Sequence, residues 1–171
     1  MIESDRGSFL VFARTKHGTD KLARNLARVG IKAARIHGDR TQNQRNQALR
    51  GFQQGEHRVL VATDVAARGI HVDGIAHVVN YDLPQVPEDF IHRIGRTGRA
   101  GARGVASTFS TRSERSEIRQ IERVMNVRLN RREVPNHVTA APKVVVIPTE
   151  NRQPGADRRP LTRSRGARRW R

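Results

Sequence analysis

Cysteine is absent from the chain. That excludes disulfide scaffolds, Cys-ligated zinc and thiol catalysis. Long apolar runs are also missing, and none approaches the ~18 residues of a membrane span. Met1 to Gly7 holds no apolar stretch of secretory type, so a cytoplasmic setting and no membrane partner are expected. The seven His show no paired metal-ligand spacing, so no metal site is expected. No internal repeat of solenoid length is evident. Acidic residues are few, 16 against 33 Lys plus Arg, for a formal charge of +17. An excess of this size points to a polyanionic partner. Apolar residues make up only 36% of 171 residues. One ordinary domain fits that length, with part of the chain outside any core.

The basic charge is unevenly spread. Residues 151–171 carry eight Arg and one Asp, with Pro154, Gly155, Pro160 and Gly166 among them. Leu161 and Trp170 are their only large apolar groups. Such a stretch cannot bury enough surface to offset its ordering entropy, so it reads as a disordered basic tail. Residues 136–150 read as a linker or added edge segment, with Val144 to Ile147 either an edge strand or a docking segment. The basic residues are 29 Arg and only 4 Lys. That bias suits phosphate recognition, although a GC-rich genome accounts for most of it.

Residues 1–135 alternate strand and helix patterns. Ser8–Ala13, Ile31–His37, Val59–Thr63, Ile75–Tyr81 and Gly104–Ser110 read as strands. Residues 17–29 place Leu22, Ala23, Leu26 and Val29 at helical spacing, with Gly30 in the C-cap position. Thr41 and Gln44 form a capping box ahead of Ala48, Leu49 and Phe52. Pro87, Glu88 and Asp89 open another helix. Thr111 and Glu114 read as a second capping box before Ile118, Ile121 and Met125. The pattern predicts a single α/β domain, a parallel sheet with helices on both faces. Ligands of such sheets bind beyond the carboxyl ends of the strands.

Three segments stand out. Thr63 to Ile70 (TDVAARGI) places Asp64, Arg68 and Gly69 just past a buried strand. It is either a loop that approaches a ligand or a plain strand-to-helix turn with an Asp cap. His92 to Arg99 (HRIGRTGR) repeats Arg at every third position, with Gly95 and Gly98 between. Each glycine costs ~1 kcal/mol in a helix interior, so the segment is read as a phosphate grip rather than a solvated face. His37-Gly38-Asp39, followed by Gln42 and Arg45, opens a helix that could hold a phosphate, but capping alone explains Thr41 and Gln44.

Together these segments resemble the second RecA-like domain of a bacterial DEAD-box RNA helicase. Ser8–Thr15 is similar to motif IV, Gln42–Arg45 to motif IVa, Thr63–Val72 to motif V, and His92–Gly101 to motif VI. His77–Asp89 and Thr15–Gly18 look most like the RhlE-type subgroup. The resemblance implies that Arg96 and Arg99 reach the ATP γ-phosphate, Arg99 as an arginine finger. It implies that His92, Asp64, Arg68 and Gly69 couple nucleotide to RNA across a domain interface. Gly38, Gln42, Arg45 and Thr63 would lie on the RNA backbone, where contacts bind without reading sequence. His71 stands where the family carries Asp, so weaker nucleotide engagement is expected unless Asp73 substitutes.

The chain contains no G-x-x-x-x-G-K-[S/T] and no Asp-Glu dipeptide. In the family those groups cradle ATP and hold Mg²⁺, and they belong to the first RecA-like domain. The chain begins only a few residues before motif IV, so it is expected to be a half, inactive in ATP hydrolysis without the N-terminal domain in cis or trans. A stand-alone RNA-binding or annealing module, or a regulator of an intact helicase, are the competing expectations. In the first, the tail neutralises phosphates, and Trp170 either stacks on a base or is a stray aromatic.

Overall fold

A computed structural model describes residues 7–70, 72, 74–98 and 104–132. The expectations for His71, Asp73, Arg99 and everything from residue 133 onward lie outside the described residues. The chain separates into two units, Met1–Asn130 and Arg131–Arg171. The account below concerns the first.

Five strands form one sheet: β1 (Ser8–Phe12), β2 (Ala33–Ile36), β3 (Val59–Ala62), β4 (Ile75–Asn80) and β5 (Val105–Thr108). Their order is β2-β3-β1-β4-β5, and every pairing is parallel. The three inner strands are buried on both faces, which is why they read as unbroken apolar runs.

Alternate residues divide between the faces. Phe9, Val11, Val59, Val61 and Val79 form one core, covered by Leu22, Ala23 and Leu26 of α1 (Lys16–Arg28). Leu10, Phe12, Leu60, Ala62 and Val78 form the other, covered by Ala48, Leu49 and Phe52 of α2 (Gln42–Gln53). The short α3 (Asp64–Ala67) adds Ala66 and Ala67 to that second core. Helices therefore cover both sheet faces, as the alternating pattern predicted. A third cluster joins Phe90 of α4 (Pro87–Ile94) to Ile118 and Ile121 of α5 (Arg115–Met125).

The Thr41–Gln44 capping box is complete: the Thr41 hydroxyl accepts from Gln44 N and Gln44 Oε1 accepts from Thr41 N. The second box is not. Glu114 Oε2 accepts from both the backbone and the hydroxyl of Thr111, each at 2.8 Å. The Thr111 hydroxyl therefore donates to the Glu114 side chain instead of accepting from the Glu114 backbone, and Glu114 itself occupies the N-cap. Helix α1 starts earlier than its apolar spacing implied, because Thr15 caps it by accepting from Gly18 N. No helix among the described residues is long and apolar enough to cross a membrane.

Candidate functional site

The loop after β3 and the end of α4 meet at one carboxylate. Thr63 leaves β3 in extended conformation and starts α3, so Asp64 stands in its first turn. From α4, Arg93 reaches back to it. Arg93 Nε lies 2.6 Å from Asp64 Oδ1, and Nη2 lies 2.7 Å from Oδ2, a two-pronged pair. Arg93 Nη1 donates to the Asp82 carbonyl at 2.6 Å and to Asn80 Oδ1 at 3.2 Å. The guanidinium also lies over the Phe12 ring, 5.0 Å from its centroid. Arg93 is only 2% exposed. A buried cation survives at such a place only when paired and hydrogen-bonded.

This geometry corrects the premise that Gly95 and Gly98 lie inside a helix. Helix α4 ends at Ile94, and Gly95 is its C-cap. Gly95 and Gly98 are therefore outside the helix interior and incur no helix penalty. Gly98 has φ +68°, a backbone that favours glycine. Arg93 belongs to the scaffold, whereas Arg96 emerges in the turn beyond the helix. Arg96 Nη1 donates to the Ile70 carbonyl at 3.1 Å, tying this turn to the loop after α3. Thr97 Oγ1 donates to the Ile75 carbonyl at 2.5 Å, so α4 and the turn after it together reach both ends of β4. Sequence reasoning missed Gly104, which backs this turn. A Cβ placed there would come within 2.3 Å of Gly98 N.

Asp64, Arg68, His92 and Arg96 line a depression of about 20 Å³ with Asp89 and Arg93. The structure thus gathers four of the predicted nucleotide-coupling and catalytic residues. Arg68 and His92 are exposed, and Arg68 lies 3.4 Å from Asp89. Gly69 (φ +78°) turns the chain just past Arg68.

The predicted RNA residues lie at the carboxyl ends of β2 and β3. Gly38 follows β2 and is exposed. It lacks a positive φ, so what its missing side chain leaves is room beside Lys16, whose Cε would be 3.4 Å from a Cβ. Gln42 opens α2 and is exposed. Arg45 Nη2 donates to the Ala66 carbonyl at 3.2 Å, which joins α2 to α3. Thr63 is buried, and its hydroxyl makes no cap bond. α3 thus lies between the two sets: its first residue anchors Arg93, and its third takes the hydrogen bond from Arg45.

Sequence reasoning also missed Asp20. It projects from α1 and lies 2.7 Å from Arg35 Nε, 3.3 Å from His37 Nε2 and 3.4 Å from Arg40 Nη2. Burial acts to raise its carboxyl, but the charges of His37, Arg35 and Arg40 outweigh this and hold it below its ordinary value. Its i, i+3, i+7 spacing with His17 and Arg24 was the available signal.

The parallel five-stranded sheet with helices on both faces, and α3 joined to both sets of residues, have the architecture of a RecA-like domain. Comparison with known proteins gives the family. The helicase conserved C-terminal domain matches residues 1–101, and the chain belongs to that family. The ATP-dependent RNA helicase RhlB of Pseudomonas syringae is 52% identical over 86 residues, 50% of this chain and 22% of RhlB. The chain thus spans about a fifth of that relative's length. The crystal structure of a DEAD box protein from Methanococcus jannaschii matches with a TM-score of 0.71 and 46% identity. That match covers 75% of this chain and 35% of the other. S. cerevisiae Dbp5, solved bound to RNA and ADP BeF3, matches with a TM-score of 0.63 and 36% identity over 68% of this chain and 32% of Dbp5. These similarities place the chain with the C-terminal domains of DEAD-box helicases, at the level of the family rather than of the RhlE-type subgroup.

Proposed function

We propose that the chain supplies the C-terminal half of the ATP site and part of the RNA track of a DEAD-box RNA helicase. The observation that carries this reading is the gathering of Asp64, Arg68, His92 and Arg96 around one depression, held by the buried Arg93. In it, Arg96 and Arg99 present fixed positive charge to the terminal phosphates of ATP, Arg99 as the finger. ATP brings the phosphoryl group to be transferred. The arginines offset the charge that spreads over its oxygens in the transition state. Asp64, Arg68, Gly69, His71 and His92 relay nucleotide state across the domain interface.

The RNA backbone runs over Gly38, Gln42, Arg45 and Thr63. Because Arg45 and Arg93 both fasten to α3, a shift of that helix on ATP engagement is felt by the RNA track. The basic surface suits both phosphates. Among the described residues no group of three or more His, Asp or Glu could hold a metal ion. Mg²⁺ is assigned to the first RecA-like domain on the family resemblance, and this chain meets that domain in cis or in trans. A cytoplasmic setting, a domain ending at residue 135, a linker or added edge segment at 136–150 and an Arg-rich tail at 151–171 belong to the same proposal.

The test is assembly. The chain is mixed with an isolated first domain of a DEAD-box helicase, single-stranded RNA and ADP–beryllium fluoride, and sedimentation is followed. A complex that needs both RNA and nucleotide is expected. RNA binding by the chain that ignores both the first domain and the nucleotide would instead favour a stand-alone annealing module.

A further inference from the structure

Edge strand β2 sends its residues alternately to the two sheet faces. Ala34 and Ile36 enter the α2-side core, and Ala33 packs toward α1. Arg35 shares the α1 side, and no strand among the described residues lies beyond β2. On α1, His17, Asp20 and Arg24 share the facing stripe. Between them opens a hollow of about 190 Å³ lined by these four residues. Its volume is below the ~300–1,000 Å³ of sites that enclose a whole small molecule. It admits a single polar group.

The lining selects the sign of that group. Asp20 is already matched by Arg35, His37 and Arg40. Arg24 uses only Nε, which donates to the Asp20 carbonyl at 3.3 Å. Its two terminal nitrogens meet no acceptor among the described residues, and His17 has no polar partner there either. Both side chains are exposed. The hollow therefore offers spare donors and net positive charge, and a guanidinium is shaped for phosphate oxygens.

Its place in the fold selects the source. Asp20 lines the hollow and also binds His37 and Arg40, which flank Gly38 in the proposed RNA track. We propose that Arg24 and His17 form a further RNA-backbone subsite, holding a phosphodiester next to the one at Gly38. This rests on the RNA reading of Gly38, Gln42 and Arg45. It lengthens the track around the open edge of the sheet and, being backbone contact, adds affinity without base preference.

The test uses the full chain and NMR titration with single-stranded RNA of four and of twelve nucleotides. With the longer RNA, the Arg24 Nε–H and His17 ring signals are expected to shift along the same binding curve as Gly38. With the shorter, Gly38 is expected to shift more than they do. Arg24→Glu is expected to weaken the longer RNA at least about threefold and to lower the salt slope by about 0.7, one phosphate's share on a single strand. Arg45→Ala is the control for the underlying reading. If it weakens RNA and moves Gly38 while Arg24→Glu changes neither affinity nor slope, the subsite is refuted and the track stands. If neither Gly38 nor Arg24 responds to RNA, the track itself fails. Inorganic phosphate is the remaining arm: shifts at Arg24 with phosphate but none with RNA overturn the assignment to RNA.

Discussion

Two carboxylates, Asp64 and Asp20, are both paired with arginine, and the two pairings are built in opposite ways. Asp64 meets one guanidinium that is almost wholly buried. Every face of that group is used: two prongs on Asp64, a carbonyl, Asn80 and the Phe12 ring. Asp20 is partly exposed and meets two guanidiniums and the His37 imidazole through one oxygen, Oδ1. Buried polar nitrogens are left over around it. Arg35 Nε is close enough to pair but not aligned to hydrogen-bond, while His37 Nδ1 and Arg40 Nε have no partner among the described residues. The first arrangement is closed and holds the fold in one geometry. The second is open and keeps capacity for an incoming anion. A cluster of charge is thus scaffold or site according to how many of its donors the protein itself consumes.

The largest expected effect comes from opening the closed pair. Arg93→Ala leaves Asp64 without its partner and should cost about 3–5 kcal/mol, as removal of one member of a buried pair does. Urea unfolding measures it. A loss below 1 kcal/mol would place Arg93 with the surface arginines and erase the contrast.

Gly104→Ala tests the same closed region from behind. The new methyl meets backbone at Gly98, which cannot yield as a side-chain tip can. A loss of about 1–3 kcal/mol is expected, in the range of overpacking. Thermal unfolding reads it, and an unchanged melting temperature would show that the turn beyond α4 is free to move.

Asp20→Asn should cost far less, about 1 kcal/mol or under, since partly exposed pairs contribute little. A cost equal to that of Arg93→Ala would make the two clusters alike.

The smallest effect is in pH dependence. Asp20 in the folded chain sits below its ordinary value of 3.8. Glu114 is lowered as well, by its hydrogen bonds from the Thr111 backbone and side chain and by Arg14. Depressed carboxyls stabilise the fold fully above their unfolded values. That contribution fades as pH falls through the ordinary carboxylate range and is gone below the folded values. Acid unfolding followed by circular dichroism should be less steep in Asp20→Asn than in the parent. An equal slope would mean that the field of His37, Arg35 and Arg40 does not act on Asp20.

The sheet was legible because its strands are buried on both faces and read as unbroken runs. VLVA of β3 is the plainest case. β5 fits less well, since Val105 and Ala106 are exposed, and its place came from alternation rather than from hydrophobicity. The residues of the site were legible as motifs, and Arg96 and His92 line the same depression as Asp64 and Arg68. The division of labour within the Arg repeat was not. A spacing of three says that residues share a side, but it does not say where the helix stops. The stop at Ile94 separates Arg93, turned inward, from Arg96, in the turn. The partners of Asp20 were not legible for a related reason. Its three partners come from β2 and the loop behind it, and only the fold brings that strand against α1.

The central claim is that Arg96 and Arg99 act on a nucleotide that a separate domain holds. RNA-stimulated ATP hydrolysis tests it most directly, with the chain alone and with the chain mixed with an isolated DEAD-box first domain. The account predicts no hydrolysis alone, hydrolysis in the mixture, and a fall of about 10³-fold or more when Arg99→Ala replaces the parent. Hydrolysis in the mixture that Arg99→Ala and Arg96→Ala leave intact would contradict it.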